Sequence, residues 1–362
     1  MVPRGKGANG EGATQRARLE DIAAKVGVSK GAVSFALNGK PGVSDATRAR
    51  VLEVAAELDW GPNSAARALG GAGTSVIGLV LARPAKTLGV EPFFAELTSG
   101  IQAALSERGF AVQMQIVESL EAEIEIYRRW WREHRVDGVI MVDRRPDDPR
   151  IEVVNGLGIP AVMVGGPGEE GQIPTVWVDD WEAMTSIVDY LAALGHRRIA
   201  HVGGVPEFLH SQRRIDALEA ARHRLGLPEL SSVVTDFSDQ QGASATRRLL
   251  SASERPSAIV FDNDVMALAG LGVAMEMNIA VPAMLSIVSF DDSLLTSLTH
   301  PAITALSRDT IDFGYRVALL LLESVKNPPP TGGARSQRLP TPTLQVRAST
   351  TVVPRESGWV SE

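Results

Sequence analysis

Apolar residues near the start of the chain recur at the spacing of an amphipathic helix. The positions of this pattern are Leu19, Ile22, Ala23 and Val26, which share one helix face. Gly27 follows and permits a tight turn, and Ser29 is a residue type that caps the next helix. The pattern predicts a helix-turn-helix, whose second helix can enter the DNA major groove.

The second and third helices of this head follow from the same reasoning. Within Ser29–Leu37, four residues can pack inward, namely Ala32, Val33, Ala36 and Leu37. Four others are left to face outward, namely Lys30, Gly31, Ser34 and Phe35. Asn38 and Gly39 tolerate a left-handed backbone and mark a helix stop. Ser44 is expected to cap a third helix that runs to about Asp59 and closes a small core.

From Thr74 onward, apolar runs alternate with helical stretches. Strands are predicted at Val76–Leu81, Ala111–Ile116, Gly138–Val142, Ala161–Val164, Arg198–Val202, Ala258–Phe261, Leu285–Ser289 and, last, Thr343–Thr350. Helices are predicted at Phe94–Arg108, Glu121–His134, Asp180–Leu194, Arg213–Leu225, Gly242–Ser251 and Val265–Met277. This alternation indicates parallel α/β sheets. So many strands favour two lobes, with a ligand cleft at the carboxyl ends of the strands.

Composition excludes several classes of protein. The 362 residues contain no cysteine, so disulfides and thiolate metal sites are absent. No apolar run reaches the ~18 residues that span a bilayer, and the first residues lack the apolar core of a secretory signal. We therefore expect a cytoplasmic protein without membrane contact. Gly203-Gly204 lacks a phosphate-binding pattern and the six histidines lack paired metal spacing, so no cofactor, metal or catalytic residue is predicted.

Charge is distributed unevenly along the chain. The net charge is −7, yet residues 1–72 hold ten Lys and Arg against seven Asp and Glu. A basic head on an acidic body is expected when only the head meets phosphate. A chance asymmetry of the solvated surface is the alternative interpretation.

The head closely resembles the LacI/GalR family of bacterial transcription regulators. The matching strings are Asp21-Ile-Ala, Gly27-Val-Ser-Lys, Val33-Ser, Leu37-Asn-Gly-Lys-Pro-Gly-Val-Ser44, Thr47-Arg, Val51-Leu and Pro62-Asn-Ser-Ala-Ala-Arg-Ala-Leu69. The resemblance implies that Lys30, Gly31 and Phe35 read base edges. It implies phosphate contacts for Ser29, Ser34, Asn38 and Thr47, which set register without base information.

The resemblance also places a hinge helix at Asn63–Leu69, with Leu69 wedged into the minor groove. A helix this short is expected to form only on DNA. Phe35 departs from the family, which usually has an arginine there. Arginine reads guanine, whereas Phe can touch only apolar edges such as a thymine methyl. Packing of Phe35 inside the head is the alternative.

The body resembles the sensor core of the same family, which is similar to type I periplasmic binding proteins. The marker strings are Pro92-Phe-Phe, Arg135-Val-Asp-Gly138, Gly158-Ile-Pro160, Val178-Asp-Asp, Leu194-Gly-His-Arg-Arg-Ile199, Phe290-Asp-Asp292 and His300-Pro. The resemblance implies that Arg214, Asn263, Asp264 and Asp291 contact the effector. Because Arg213 is adjacent to Arg214, which of the two arginines matches the family's effector-binding arginine stays open. Phe94 could stack on a sugar ring or pack in the core, and Asp143 could accept sugar hydroxyls or lie exposed in a loop.

Two further features are ambiguous in the sequence. The segment from Val80 to Phe94 is longer than is usual in the family and carries Arg83, Lys86 and Glu91, so it either reshapes the cleft mouth or forms surface. Trp130 and Trp131 are expected to pack, while Trp177 and Trp181 could pack or serve as sugar platforms.

The expected fold is α/β, with an N-terminal all-α helix-turn-helix head and hinge helix before a two-lobed doubly wound parallel α/β core. The expected divisions are a disordered arm (1–17), a DNA-binding domain (18–61), a hinge helix and linker (62–73), an effector-binding and dimerisation core (74–350) and a tail (351–362).

The predicted function is a homodimeric transcriptional repressor of carbohydrate genes. Each head would bind half of a pseudo-palindromic double-stranded operator, and a sugar effector would release it. The tail shows no leucine heptad, which favours a dimer over a tetramer. One alternative is a repressor that needs a purine-like or phosphorylated corepressor. Another is a sugar-binding module or sugar-processing α/β enzyme with a degenerate head.

Overall fold

The computed structural model describes residues 17–61, 73–167, 173–228, 231–327 and 335–353. The chain forms two compact units that divide between Gly73 and Thr74. The predicted hinge residues Asn63 and Leu69 lie outside the described residues, as do most of the predicted arm and tail.

The head consists of three helices: α1 (Leu19–Val26), α2 (Lys30–Leu37) and α3 (Asp45–Glu57). Gly27 ends α1 in the left-handed conformation, with φ 76°. Ser29 and Ser44 cap α2 and α3 by accepting the amides of Ala32 and Thr47. The small core consists of Ile22, Val33, Ala36, Val51, Val54 and Ala55. The predicted helix-turn-helix is confirmed.

The second unit contains two six-stranded sheets, one in each lobe. The strands are β1 (Val76–Ala82), β2 (Ala111–Val117), β3 (Gly138–Met141), β4 (Ala161–Val164), β5 (Thr175–Trp177), β6 (Ile199–Gly203), β7 (Ser231–Val234), β8 (Ala258–Phe261), β9 (Ser286–Ser289), β10 (Thr304–Ser307), β11 (Ser336–Arg338) and β12 (Thr343–Gln345). The first sheet has the order β11-β5-β4-β3-β1-β2 and the second β12-β10-β9-β8-β6-β7. All pairings are parallel except β10 with β12. The predicted two-lobed parallel core is confirmed.

Helices cover the two sheets. They are α4 (Ala85–Leu88), α5 (Pro92–Ser106), α6 (Leu120–Arg132), α7 (Pro149–Leu157), α8 (Asp180–Ala193), α9 (Leu209–Leu225), α10 (Asp239–Leu250), α11 (Asp264–Glu276), α12 (Leu294–Leu298) and α13 (Thr310–Lys326). The chain passes between lobes after β5, after β10 and after β11, so each lobe is assembled from distant segments. None of the helices among the described residues is both long enough and apolar enough to span a bilayer.

The C-terminal part of the chain differs from the prediction. The last strand ends at Gln345, well short of the expected Thr350. The segment expected to begin the tail is instead bound to the second lobe. The amide of Val353 donates to the carbonyl of Leu194 at 2.9 Å, and Nε2 of His196 lies 3.1 Å from the carbonyl oxygen of Thr351. These contacts hold the chain against the lobe up to Val353.

Trp130, Trp177 and Trp181 differ in how far they are buried and in what they contact. Trp130 is fully buried in the core of the first lobe, as expected, and its ring packs against the backbone of Gly78. Trp177 donates from its indole nitrogen to Ser336 at 2.9 Å, and the guanidinium groups of Arg213 and Arg338 lie near its ring. These contacts tie β11 to β5 and favour the packing interpretation for Trp177. Trp181 is 39% exposed.

Candidate functional site

A cavity lies at the carboxyl ends of the strands, between the two lobes. It encloses about 580 Å³ of space between atoms, part of it open to solvent. Its charged wall contains three arginines, Arg83, Arg214 and Arg308, and five carboxyl groups, Glu91, Asp143, Asp180, Asp262 and Asp291. Phe93, Phe237 and Phe313 supply aromatic surface. The cavity therefore combines hydrogen-bonding groups with rings that can cover an apolar ligand face.

Arg83 follows β1 and connects the lobes. It donates to both carboxylate oxygens of Asp143, at 2.7 and 2.6 Å, and reaches Glu91 at 3.3 Å. Its guanidinium also lies over two rings of the second lobe, 4.5 Å from the centroid of Phe237 and 5.0 Å from that of Phe208. The long segment after β1 thus forms a wall of the cavity.

Arg214 projects from the second turn of α9 into a buried network. Its Nε and Nη2 donate to one oxygen of Asp180, at 3.0 and 2.9 Å, and Nη1 lies 3.1 Å from Asp262. The guanidinium stacks on Phe290, 3.5 Å from the ring centroid. Asp262 also contacts His201 and the amide of Gly204. Ionic pairing on several sides holds Arg214 in one orientation.

Arg308 follows β10 and closes a third side of the cavity. It donates to Asp291 at 2.5 Å and lies 4.8 Å from the ring centroid of Phe93. All three cavity arginines are therefore paired with carboxylates of the chain itself.

The structure places three of the six predicted effector residues on the cavity wall and three elsewhere. Asp143, Arg214 and Asp291 line the cavity. Phe94 packs in the core of the first lobe instead, at 5% exposure. Asn263 caps α11 by accepting the amide of Met266, and Asp264 is buried at the start of that helix. Phe94 thus takes the core position that was its stated alternative, and helix capping accounts for the position of Asn263. Asn263 also donates a hydrogen bond to the cavity carboxyl group of Glu91.

Several cavity residues were not predicted as effector contacts. Phe93 lies beside Phe94 at the start of α5, His210 lies at the start of α9, and Phe237 follows β7. A strand-end position would have indicated Phe237, but β7 itself was not predicted. The burial of Arg83 and Glu91 resolves the ambiguity of the long segment, because both face the cavity.

Burial shifts the pKa of several groups in and around the cavity. Desolvation raises the pKa of Glu91 to about 7, against the opposing charge of Arg83. Desolvation and then the charge of Asp291 raise the pKa of Asp264 to about 6. Desolvation and the charge of Arg214 lower the pKa of His210 to about 4. His210 is therefore neutral near pH 7, with one ring nitrogen able to donate and one able to accept.

We expect Glu91 to make the folded chain less stable as the pH rises. The folded chain keeps the Glu91 proton up to about pH 7, whereas the unfolded chain loses it near the ordinary pKa of 4.5. Stability therefore falls between about pH 4.5 and 7, by about 3 kcal/mol for this group. Glu91→Gln removes this loss, so its stability advantage over the wild type grows from pH 5 to pH 8.

Urea unfolding at both pH values measures this difference. Glu118→Gln, which changes an exposed carboxylate, is the matched control and should show no such growth. An advantage of Glu91→Gln that is equal at pH 5 and pH 8 would contradict the assignment.

The head presents the predicted DNA-contacting residues on its surface or at its caps. Phe35 is 44% exposed and lies outside the head core, beside Gly42, which favours the outward-facing interpretation. Lys30 pairs with Glu20 at 2.6 Å. The Asn38 side chain donates to the carbonyl of Ser34, and the Thr47 hydroxyl lies 2.9 Å from that of Ser44. Surface exposure and cap contacts do not test binding to DNA, so the base and phosphate contacts assigned to these residues stay predictions.

Comparison with known proteins brings the two parts of the chain together. The model for "Bacterial regulatory proteins, lacI family" matches residues 18–63, and that for "Periplasmic binding protein-like domain" matches residues 188–350. The HTH-type transcriptional regulator CelR of Thermobifida fusca is 32% identical over 315 residues, which cover 86% of this chain and 92% of CelR.

Two solved structures extend the likeness. The transcriptional regulator CelR–cellobiose complex has a TM-score of 0.69 and 30% identity, covering 92% of this chain and 100% of that chain. The lac repressor dimer bound to operator and the anti-inducer ONPF has a TM-score of 0.81 and 25% identity, covering 93% and 100%. The similarity therefore spans both the head and the two-lobed unit.

Proposed function

The chain belongs to the LacI family of bacterial regulatory proteins, and we propose that it is a dimeric repressor that leaves its operator when a carbohydrate occupies the cavity. The protein is a ligand-responsive, DNA-binding transcriptional regulator. Binding at the cavity and binding at the head are coupled, and such coupling is reciprocal and typically worth ~1–3 kcal/mol.

The chemistry of the cavity is the observation that carries the carbohydrate assignment. Carboxylates accept paired hydroxyl groups, guanidinium groups donate to ring and hydroxyl oxygens, and phenyl rings cover the apolar faces of sugars. All three line the same cavity at the strand ends. The similar regulator CelR has been solved with cellobiose, which supports a sugar of one or two rings.

A phosphorylated corepressor fits this cavity less well. Three arginines face five carboxyl groups, and each arginine is paired with at least one of them. An anionic ligand would have to displace these carboxylates from the arginines. The surplus of acidic groups therefore favours a neutral or positively charged effector.

The head supplies the operator contacts in this proposal. In this proposal Lys30, Gly31 and Phe35 read base edges in the major groove, and the phosphate backbone is contacted by Ser29, Ser34, Asn38 and Thr47. Asn63 and Leu69 are assigned to the hinge by the family resemblance. Two heads related by the dimer axis read the two halves of a pseudo-palindrome. In this proposal the protein acts in the cytoplasm, where the operator is. It binds the sugar without converting it, so the sugar dissociates chemically unchanged.

Selection of random duplex DNA by the purified protein tests the proposal. The selection is repeated with a panel of mono- and disaccharides, and bound sugar is analysed for turnover. We expect a pseudo-palindromic site that one sugar abolishes. Enrichment of a site that needs an added phosphorylated ligand, or no enrichment at all, would contradict the repressor mechanism proposed here.

We expect Phe35→Ala to weaken specific operator binding about fivefold for each half-site, with little loss of stability. The ring is largely outside the head core, so its removal leaves no internal cavity. Burial of a thymine methyl against the ring contributes about 1 kcal/mol, which is about fivefold in affinity. Fluorescence anisotropy on the selected operator measures the affinity. Val33→Ala, in the fully buried core of the same helix, is the contrast, because it should lower the thermal stability of the head. Unchanged operator affinity for Phe35→Ala would mean that the ring does not meet DNA.

A further inference from the structure

We propose that the effector carries a positively charged amino group, as an amino sugar does, and that this group lies against Glu91 and Asp291. This inference rests on the carbohydrate function proposed above and specifies the class of carbohydrate. It depends on how the chain pairs its own charges inside the cavity.

The arginines of the cavity leave Glu91 poorly compensated. Arg83 donates through two nitrogens to Asp143 at 2.7 and 2.6 Å, and reaches Glu91 only at 3.3 Å. Arg214 pairs with Asp180 and Asp262. Asp262, which also shares an arginine, has the amide of Gly204 and the His201 ring as additional partners. Glu91 is thus the cavity carboxyl with the weakest arginine contact.

The charged surroundings of Glu91 are mostly acidic. Asp291 and Asp143 both act on Glu91 by like-charge repulsion, opposed by Arg83 and by a hydrogen bond from Asn263. The charge of Arg308 is engaged by Asp291 at 2.5 Å. The side chain of Glu91 is only 6% exposed, yet it lines the cavity. A ligand placed there faces a desolvated carboxyl group with little water to screen it.

A cationic ligand group would bind more strongly in this acidic environment than a hydroxyl group would. An ammonium donates charge-assisted hydrogen bonds, which are roughly twice as strong as neutral ones. It also restores charge balance around Glu91 and Asp291, because the cavity contains more carboxyl groups than arginines. The raised pKa of Glu91, about 7, agrees with a site that stabilises the ionised carboxylate poorly until a cation binds. Phe93 and Phe237 also line the cavity and supply surface for a sugar ring.

Matched sugars test this inference on the full-length protein. Isothermal titration at pH 7 compares cellobiose with the β-1,4-linked disaccharide of glucosamine, which differs by two ammonium groups, and with its N-acetylated form, which has no charge. Glucose and glucosamine provide the same comparison for one ring. We expect the ammonium sugar of at least one pair to bind at least tenfold more tightly than both neutral forms, and to release operator DNA.

Two variants assign the effect to Glu91. In Glu91→Gln the preference for the ammonium sugar should fall to within threefold of unity, whereas Glu118→Gln, an exposed control, should keep it. A preference that survives Glu91→Gln overturns the assignment. The wild-type comparison decides the ligand class even if a variant fails to fold.

The remaining outcomes separate this inference from the proposed function. Neutral sugars that bind as tightly as, or more tightly than, their ammonium counterparts overturn the inference and leave a carbohydrate-responsive repressor. Absence of binding by every sugar in the panel overturns both.

Discussion

Arg214→Lys is expected to weaken effector binding about 100-fold, so that the operator complex persists at sugar concentrations that release the wild type. The guanidinium of Arg214 is fixed by Asp180, Asp262 and Phe290 at the cavity wall. Lysine keeps the charge but loses the planar fork and the stacking. Hydrogen bonds to charged groups are worth about 1.5–3 kcal/mol, and the upper part of that range corresponds to about 100-fold.

Lysine is preferred to alanine at this position because stability and binding must be separated. Removing the positive charge would leave Asp180 and Asp262 buried without a partner, a change that costs about 3–5 kcal/mol. Lysine avoids most of that loss. Operator release as a function of sugar concentration, followed by anisotropy, measures the effect.

Arg213→Lys is the matched control for this prediction. Arg213 pairs with Asp179 at 3.0 Å, is 25% exposed and lies near the Trp177 ring, away from the cavity wall. We expect it to respond to sugar within threefold of the wild type. The reverse result, with Arg213→Lys insensitive and Arg214→Lys normal, would mean that the neighbouring arginine binds the effector.

Gly100→Ala is expected to lower the free energy of unfolding by about 3 kcal/mol, although alanine is the better helix former. A Cβ at Gly100 would lie 1.9 Å from the carbonyl oxygen of Ile311 and 3.0 Å from the amide nitrogen of Tyr315. Both atoms belong to the backbone of α13, so the two helices must move apart. Gly314 makes the reciprocal contact, because its Cβ would lie 2.1 Å from the carbonyl oxygen of Leu97 on α5.

Gly272→Ala is the control with the opposite expected sign. Gly272 lies within α11 and is exposed, and a Cβ at this position would meet no neighbouring atom within 4 Å among the described residues. Alanine there should stabilise the core by about 0.5–1 kcal/mol through helix propensity alone. Denaturant midpoints of the three proteins measure both effects. A midpoint for Gly100→Ala at or above that of the wild type would show that α5 and α13 do not approach as described.

The head was predicted almost completely because its determinants are local. Apolar spacing, the glycine turn at Gly27 and the caps at Ser29 and Ser44 all lie within about forty residues. Their physical effects act between residues a few positions apart. The resemblance to a known family then added the expected roles on DNA.

The core was predicted less completely because several elements are short or depend on partners far along the chain. β5 and β11 contain three residues each, and their paired residues, such as Thr175 and Ser336, are 161 positions apart in the sequence. β7 begins with two serines and is an edge strand. The long helix α13 was not predicted, although Phe313, Val317 and Leu321 recur four residues apart and are buried in the core of the first lobe.

The sequence by itself determined the fold class through periodic burial and local capping, and the family through the motif strings of the head and core. Of the charged cavity residues at the strand ends it singled out Asp143 and Asp291, whereas Asp262 and Arg308 were not predicted. Only the tertiary structure decided which of two neighbouring residues faces the cavity. Phe93 and Phe94 are adjacent and chemically identical, yet one turns toward the cavity and the other into the core. Arg83 lines the cavity because it pairs with Asp143 of its own lobe and lies over the Phe237 ring of the other lobe. Helix rotation and lobe packing fix such choices, and both depend on contacts between segments that are distant in sequence.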